Sequence, residues 1–363
     1  MDGPRPPDPS EYDEVLDFLN HNLRPTSQWS IGQEYPTAFA RENIQNIRII
    51  KASGKIASHA VVNCHLTKTP AGIFKVGAIG SVVTDPSLRH QGLSKSLIKE
   101  CLESARQQGC DFAVLWTHLY DFYRKQNFEL AGTEQALIIE KDFSPPHFDL
   151  KFLNSLRVAP EALMRLYSRH TVGAIRHVED IRRYLGIPNT HLYTAWDAHN
   201  NLKAYAVEGK GEDLNNYIHE WGGDVSSLLP LFAHIRKHKQ KPITVICSGV
   251  ANNLSRQLQS YGVLCNQGFL GMFHLLNPKN LGFKLCRYAR QLGHDDLVFE
   301  FQDGTYFMGT PNNLFKTDSQ SDIIKLVFGP LKATQIKGFD TSTNRLMERL
   351  FPLPFWIWGW DSI

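Results

Sequence analysis

The chain has 363 residues, of which 42% are hydrophobic and 21% charged, a balance typical of a globular protein with two or three domains. Its formal net charge is +3 and no run of Lys and Arg stands out, so we predict no nucleic-acid partner. No apolar stretch reaches about eighteen residues, and the first residues lack an apolar core. We therefore predict neither a membrane span nor a signal peptide.

Six cysteines are scattered along the sequence, and none forms a C-x-x-C pair. We interpret them as reduced and mostly buried, which favours a cytoplasmic location. The spacing of His234 and His238 would suit a metal pair on a helix, but the Glu of an H-E-x-x-H motif is missing. We interpret this stretch as a solvated basic helix face and predict no metal site.

The first segment begins with a proline-rich stretch and a helix from about Ser10, with apolar residues on one face. Three antiparallel strands are predicted next, at Asn46–Ala52, Ile56–Thr67 and Val76–Val83. The third strand leads through a turn into Arg89-His90-Gln91-Gly92-Leu93-Ser94 and a helix at Leu93–Gln108.

This strand, loop and helix indicate an anion-binding site. The first backbone N–H groups of a helix have no intrahelical partner, and the helix dipole favours negative charge beside them. Gly92 lets the backbone approach a bulky group closely because it has no Cβ. Arg89 adds a positive charge.

Downstream, a buried strand is predicted at Asp111–His118 and a short helix at Leu119–Phe128. Asn127 is suited to a left-handed helix end. A further strand, Gln135–Lys141, precedes the proline-rich break Asp142–Asp149, where we predict a domain boundary.

The second segment repeats this order of elements without the loop motif. At the corresponding place it has Glu220-Trp221-Gly222-Gly223-Asp224, and Asp224 would repel a phosphate. A third segment begins near Gly268 and contains a hairpin that turns at Asp303-Gly304. It ends in an apolar stretch with Trp356, Trp358 and Trp360, for which we consider a core plug, a functional role and a membrane-interface anchor.

Arg89-x-x-Gly92-x-Ser94 after its strand resembles motif A of the GCN5-related N-acetyltransferases (GNATs), with Ser where the family has Gly or Ala. Tyr123 and Phe128 resemble that family's motif B. The whole order of parts is similar to the enhanced-intracellular-survival-like acetyltransferases. The resemblance implies an α/β (α+β) chain with tandem GNAT folds, the second degenerate, and a C-terminal domain like sterol carrier protein. We predict domains at 1–149 (catalytic), 150–267 (degenerate) and 268–363.

The resemblance implies transfer of an acetyl group from acetyl-CoA to a primary amine of a small molecule or peptide. Tyr123 would be the general acid. The C-terminal carboxylate, here of Ile363, would be the base, with His118 as the alternative. The predicted coenzyme-binding residues are Val82, Val83, Arg89, His90, Gln91, Gly92, Leu93 and Ser94.

Two other function classes stay open: a different acyl-CoA transferase on a doubled fold, such as a myristoyl- or aminoacyl-transferring enzyme, and a non-catalytic acyl-CoA-binding protein. The acceptor could be an aminoglycoside, a polyamine, a peptide N-terminus or a lysine side chain, and the sequence does not decide among them. It also leaves open whether the chain forms a homo-oligomer.

Overall fold

The fold is that of a computed structural model, which describes residues 1–146 and 149–363. Two residues of the predicted break, 147 and 148, lie outside this range. The strands are β1 (Asp2–Arg5), β2 (Ile47–Ala52), β3 (Lys55–Thr69), β4 (Gly72–Thr84), β5 (Phe112–Leu115), β6 (Glu129–Ala131), β7 (Glu134–Ile139), β8 (Lys151–Asn154), β9 (Gly173–Ala174), β10 (His191–Trp196), β11 (Leu202–Lys210), β12 (Asp213–Gly223), β13 (Ile243–Ser248), β14 (Leu264–Gly268), β15 (Gly271–Leu275), β16 (Val298–Gln302), β17 (Thr305–Thr310) and β18 (Asn313–Thr317). The helices are α1 (Tyr12–Leu23), α2 (Ile31–Glu34), α3 (Leu93–Gln107), α4 (Tyr120–Arg124), α5 (Pro160–Tyr167), α6 (Val178–Leu185), α7 (Val225–Lys239), α8 (Asn252–Ser260), α9 (Pro278–Gln291), α10 (Gln320–Phe328) and α11 (Thr341–Leu350).

Most predicted elements are confirmed within a few residues of their ends. The predicted hairpin turn is confirmed: Asp303 and Gly304 both have positive φ and join β16 to β17, the geometry of a type I′ turn. The strand predicted at Asp111–His118 is shorter, because β5 ends at Leu115. β1, β6, β8, β9 and β18 were not predicted.

The first sheet has the order β1-β2-β3-β4-β5-β15-β6 in the described residues, and β9 pairs with β3. β2, β3 and β4 form an antiparallel meander, whereas β4 and β5 are parallel and joined through α3. Alternate residues of a strand face opposite sides of its sheet. Accordingly Ala60 and Val62 pack under α3, and Val61 packs under α1 and α2.

The second sheet has the order β14-β7-β13-β12-β11-β10-β8 in the described residues. It repeats the arrangement of the first: β10, β11 and β12 are antiparallel, β12 and β13 are parallel, and α7 connects the parallel pair. The third sheet is the meander β16-β17-β18. The chain therefore has two similar α/β halves in tandem and a small C-terminal sheet.

The sheets do not follow the predicted boundaries at 149/150 and 267/268, which stay predictions. β7 precedes the first boundary but lies in the second sheet, between β14 and β13. β15 follows the second boundary but lies in the first sheet, between β5 and β6. Each half thus borrows a strand from a neighbouring segment.

Residues 353–363, called the tail, cross the centre of the molecule. All four large aromatic residues of the tail are buried: Phe355, Trp356, Trp358 and Trp360. Phe355 packs against three other aromatic rings, two on strands of the first sheet and one on α10. Trp358 packs against Tyr167, His170 and Trp221 of the second half. A membrane-interface anchor is therefore the wrong interpretation of these tryptophans, since they fill the core. No helix in the described ranges is long and apolar enough to cross a membrane.

Phe112 on β5 lies at the centre of an aromatic cluster between the first sheet and the tail, and this position gives a stability prediction. Its ring centroid lies 5.1–5.9 Å from four other aromatic rings, those of Phe74, Phe273, Phe328 and Phe355. We expect Phe112→Ala to lower the free energy of unfolding by about 3–5 kcal/mol, because it leaves a cavity that these rings can only partly fill. Denaturant-induced unfolding measures this loss.

Phe283→Ala is the matched control. Its ring lies on α9 and is 60% exposed, so this change should alter stability by no more than about 0.5 kcal/mol. Equal losses in the two variants would show that Phe112 is not a packing centre.

Candidate active site

The site begins where β4 and β5 diverge. Their parallel pairing covers Val76–Ala78 on β4 and Phe112–Val114 on β5. β4 then continues for six more residues to Thr84 without a partner on that side. This leaves backbone N–H and C=O groups of β4 facing a gap, where they can pair with an extended ligand.

A β-bulge turns the end of β4. Val61 pairs with Gly80 and His59 pairs with Val83, so Ser81 and Val82 together oppose a single residue of β3. Ser81 has a positive φ of 50°. The ring of His59 holds the bulge, with its Nδ1 donating to the carbonyl of Ser81 at 2.8 Å. Burial lowers the pKa of His59 to about 4, so this ring stays neutral near pH 7.

Gly92 starts α3 in the left-handed conformation, with φ of 81°. A Cβ built there would meet nothing within 4 Å, so the space beside the start of α3 is open. Arg89, His90, Gln91 and Gly92 are all exposed around this space. The arrangement is the helix N-terminus expected for a phosphate group.

Ser94, which stands where the resemblance predicts Gly or Ala, ties α3 to the end of β4. The Ser58 hydroxyl donates to the Val83 carbonyl at 3.0 Å and lies 2.6 Å from the Thr84 hydroxyl. The Thr84 hydroxyl in turn lies 2.8 Å from that of Ser94. Since Ser58 has one proton, the direction of this chain must be Ser94 to Thr84 to Ser58 to Val83.

These elements enclose a cavity of about 640 Å³. It is lined by eight residues that the sequence predicted and seven that it did not. The predicted ones are Val82, Val83, Arg89, His90, Gly92, Leu93, Ser94 and Tyr123, and the others are Asn22, Leu23, Thr84, Leu88, Lys95, Leu119 and Phe122. Phe122, next to Tyr123 in motif B, is the one the sequence could have indicated, whereas Asn22 and Leu23 come from the end of α1.

Tyr123 lies on α4 and is almost fully buried. Its ring packs edge-on against Phe122 and Phe128, which fixes its orientation. Burial raises the pKa of Tyr123 to about 12, so the phenol keeps its proton near neutral pH and is able to donate it.

Ile363 lies against β4, far from its neighbours in the sequence. A Cβ built on Gly80 would be 2.2 Å from the side chain of Ile363 and 3.0 Å from its carboxyl carbon. The last residue of the chain therefore contacts the active-site strand two residues before Val82. His118 follows the end of β5 and is exposed. Of the predicted site residues, Ile363, His118 and Gln91 do not line the cavity.

Residues 4–131 match the family model described as "Acetyltransferase (GNAT) domain". These residues contain the divergent strands, the Gly92 loop and Tyr123. This part of the chain is a GNAT domain.

Solved structures extend the similarity to the whole chain. A GCN5-related N-acetyltransferase from Anabaena variabilis has 14% identity and a TM-score of 0.68, with 99% of each chain covered. Eis1 from Mycobacterium abscessus has 12% identity and a TM-score of 0.66, with 100% of each covered. A protein from Enterococcus faecalis described as a probable N-acyltransferase has 14% identity and a TM-score of 0.67, with 98% of each covered. No curated protein sequence matches.

The second, GNAT-like half has no comparable gap. β12 and β13 pair only at Tyr217–Ile218, and the indole of Trp221 donates across the divergence to the carbonyl of Ile246 at 3.2 Å. Asp224 alone separates β12 from α7, so no phosphate-binding loop forms. A Cβ on Gly223 would lie 2.3 Å from the carbonyl of Lys203, so this glycine serves close packing. The second half therefore lacks, between β12 and α7, the open strand edge and loop that form the cavity in the first.

No group of three or more His, Cys, Asp and Glu side chains within residues 1–146 and 149–363 is arranged to hold a metal ion. His234 stacks on Phe152 with ring centroids 4.6 Å apart. The six cysteines are free thiols in these residues.

Coenzyme binding at Gly92 gives the second prediction. We expect calorimetry with acetyl-CoA to give one site per chain, and Gly92→Glu to weaken binding at least about 100-fold, because it fills the open space and adds a carboxylate where phosphates bind.

Gly109→Glu is the matched control. Gly109 follows the other end of α3, with a φ of 77° and nothing within 4 Å of a Cβ, so the two substitutions carry the same backbone strain. Two sites per chain, or equal affinity in the two variants, would contradict the assignment of the site to Gly92.

Proposed function

We propose that the chain is an N-acetyltransferase that moves an acetyl group from acetyl-CoA to a primary amine. The observation that carries this proposal is the single cavity that joins the open Gly92 helix terminus, the unpaired end of β4 and the protonated Tyr123. A phosphate site alone would fit many ligands. The combination with a free strand edge and an acid suits a thioester on a long arm that carries phosphates.

The size and charge of the groove support acetyl-CoA as the donor. A second cavity, of about 740 Å³, continues from the first along α3 and shares Gly92 and Lys95 with it. Lys99 and Lys125 line its walls. In this proposal the N-terminus of α3 and Arg89 hold the pyrophosphate, and the lysines face the phosphorylated adenosine. Val82 and Val83 offer backbone groups to the pantetheine arm.

Proton transfers define the roles of the remaining residues. Acetyl-CoA supplies the acetyl thioester. The amine nitrogen loses a proton to a base and forms a bond to the acetyl carbon. When the carbon–sulfur bond breaks, the phenol of Tyr123 gives its proton to the leaving sulfur, and solvent returns a proton to the phenol.

We propose the carboxylate of Ile363 as that base, because it lies against Gly80 on the same strand as Val82. His118 is the second candidate for the base. Its exposure at the end of β5 leaves it open to solvent and makes it the weaker one.

Each predicted domain has its own role in this proposal. We propose that residues 1–149 carry the catalytic site, that residues 150–267 form a GNAT-like scaffold without coenzyme, and that residues 268–363 supply the tail. We also propose a cytoplasmic location, which is supported by the free cysteines in the described residues.

The test of the function begins with a screen of amines for acetyl-CoA consumption and then uses the best acceptor. We expect Tyr123→Phe to lower kcat by roughly 10²–10⁴, the usual range for a lost acid–base group, with nearly unchanged acetyl-CoA affinity. The ring and its packing are kept, so only the proton is lost.

Tyr120→Phe is the control, because Tyr120 lies on the same short helix but is 37% exposed, and it should turn over at the parental rate. Normal turnover of Tyr123→Phe would assign Tyr123 to packing. Consumption of a longer acyl-CoA in place of acetyl-CoA would favour the other acyltransferase, and binding without turnover on any amine would favour the acyl-CoA-binding protein.

The base assignment gives a separate prediction. Deleting Ile363, or adding a few residues after it, should cut kcat by about 10² or more, because either change displaces the carboxylate from β4. Folding and acetyl-CoA affinity should stay parental, as measured by thermal unfolding and calorimetry. If the extended protein turns over at the parental rate, the carboxylate is not the base and His118 becomes the candidate to test.

A further inference from the structure

Lys210, at the end of β11, is a fully buried lysine in the second half of the chain. Its ammonium group donates to the carbonyl oxygens of three tail residues, Gly359 at 2.9 Å, Trp360 at 3.3 Å and Ser362 at 2.6 Å. An ammonium group has three N–H donors, so the three carbonyls satisfy it. The Ser362 carbonyl belongs to the peptide bond that leads directly to Ile363.

A second buried cation, Arg176, binds the same stretch. Arg176 forms a bidentate pair with Glu220 of β12, both distances being 2.9 Å. It also binds Asp361 of the tail at 3.0 and 2.7 Å. Two cations and two carboxylates lie together in this interior, so the buried charges are balanced.

Lys210 also contacts the first half of the chain. Its Nζ lies 4.5 Å from the ring centroid of Tyr35, at the end of α2. The hydroxyl of Tyr35 donates to Asp213 at the start of β12. Lys210 therefore stands where the tail, the α2 region and the degenerate half meet.

We propose that Lys210 is a positioning residue for acetyl transfer, which fixes residues 359–363 so that Ile363 rests on Gly80, two residues before Val82 of the cavity. This inference rests on the proposed function and gives the coenzyme-free half of the chain a role in it. Lys210 does not touch the reacting atoms and acts only through the tail.

Stability alone is a poor explanation for a lysine at this place. Taking an ammonium group out of water is costly, and burial lowers the pKa of Lys210 to about 7. Replacing Lys210 alone leaves the three tail carbonyls without their donor, which is itself destabilising. A methionine at 210 would fill the same space, so the cost falls on these contacts with the tail, and the free energy of unfolding of each variant is measured beside tail exchange and kcat.

The experiment compares Lys210→Met with Lys203→Met in the full chain. Lys203 lies on the same strand as Lys210. Within the part of the chain that the structure describes, its side chain makes no hydrogen bond to the tail, unlike that of Lys210. Besides the free energy of unfolding, three quantities are measured: hydrogen exchange of the backbone amides of residues 359–363, acetyl-CoA affinity, and kcat on the best amine from the screen.

For Lys210→Met we expect tail exchange at least about tenfold faster and kcat about 10²-fold lower, with parental acetyl-CoA affinity, because a small displacement of a reacting group has an effect of that size. Lys203→Met should match the parent in all three. If Lys210→Met does not fold, Lys210→Gln, which keeps N–H donors without the charge, should change the same quantities in the same direction.

Parental tail exchange in the Lys210 variant would overturn the proposal. So would faster exchange with unchanged kcat, since the tail would then move without affecting transfer. If no amine is acetylated by the parent, the proposed function fails. Parental-like exchange in Lys210→Met would then show independently that Lys210 does not hold the tail, and faster exchange would show that it does.

Discussion

The divergence of β4 from β5 is the constraint on which the rest of the site depends. Parallel strands leave no unpaired backbone while they run together, so a strand edge becomes available inside a sheet only where they separate. Here the separation begins after Ala78 and Val114, and three features maintain it: the bulge at Ser81–Val82, the ring of His59 on the Ser81 carbonyl, and the hydroxyl chain from Ser94 to Val83. Gly92 and Tyr123 line one cavity because this gap lies between them.

The second half contains a similar strand divergence that is packed differently. Its parallel strands also separate, but Trp221 closes the gap with an indole hydrogen bond to Ile246, and the tail packs on that indole through Trp358. β12, which corresponds to β4 of the first half, carries Glu220, and this carboxylate is paired with Arg176. The closed gap and the surface that packs on the tail are thus two aspects of the same packing.

The sequence was sufficient wherever structure is local. Four local features follow from periodicity and backbone preferences within a few residues: the strand meander, the Gly92 loop, the turn at Asp303-Gly304 and the left-handed Asn127, with φ of 60°.

The exchange of β7 and β15 between sheets was not predicted, because pairing partners are determined by packing between residues more than a hundred positions apart. Lys210 and Ser362 are 152 positions apart, and no pattern in either segment indicates that they meet. The gap-filling role of Trp221 is similar: its glycine neighbours are visible in the sequence, whereas the indole's partner is not.

The tail combines two kinds of interaction with different consequences. Its aromatic residues provide most of the affinity, since burial of large rings is favourable in proportion to the area removed from water. That effect has no direction, so it depends less on exact atomic positions than a hydrogen bond does, although a slip of the extended tail by one residue, about 3.3 Å, would also turn its rings to the opposite face. The hydrogen bonds of Lys210 and the ion pairs of Arg176 do not tolerate such a slip, because they require particular atoms at 2.6–3.3 Å. A chain end would ordinarily fray. Aromatic burial keeps this one in the core, and the two buried cations determine which residue rests on β4, so a precise position at Gly80 is obtained from a segment with little regular secondary structure.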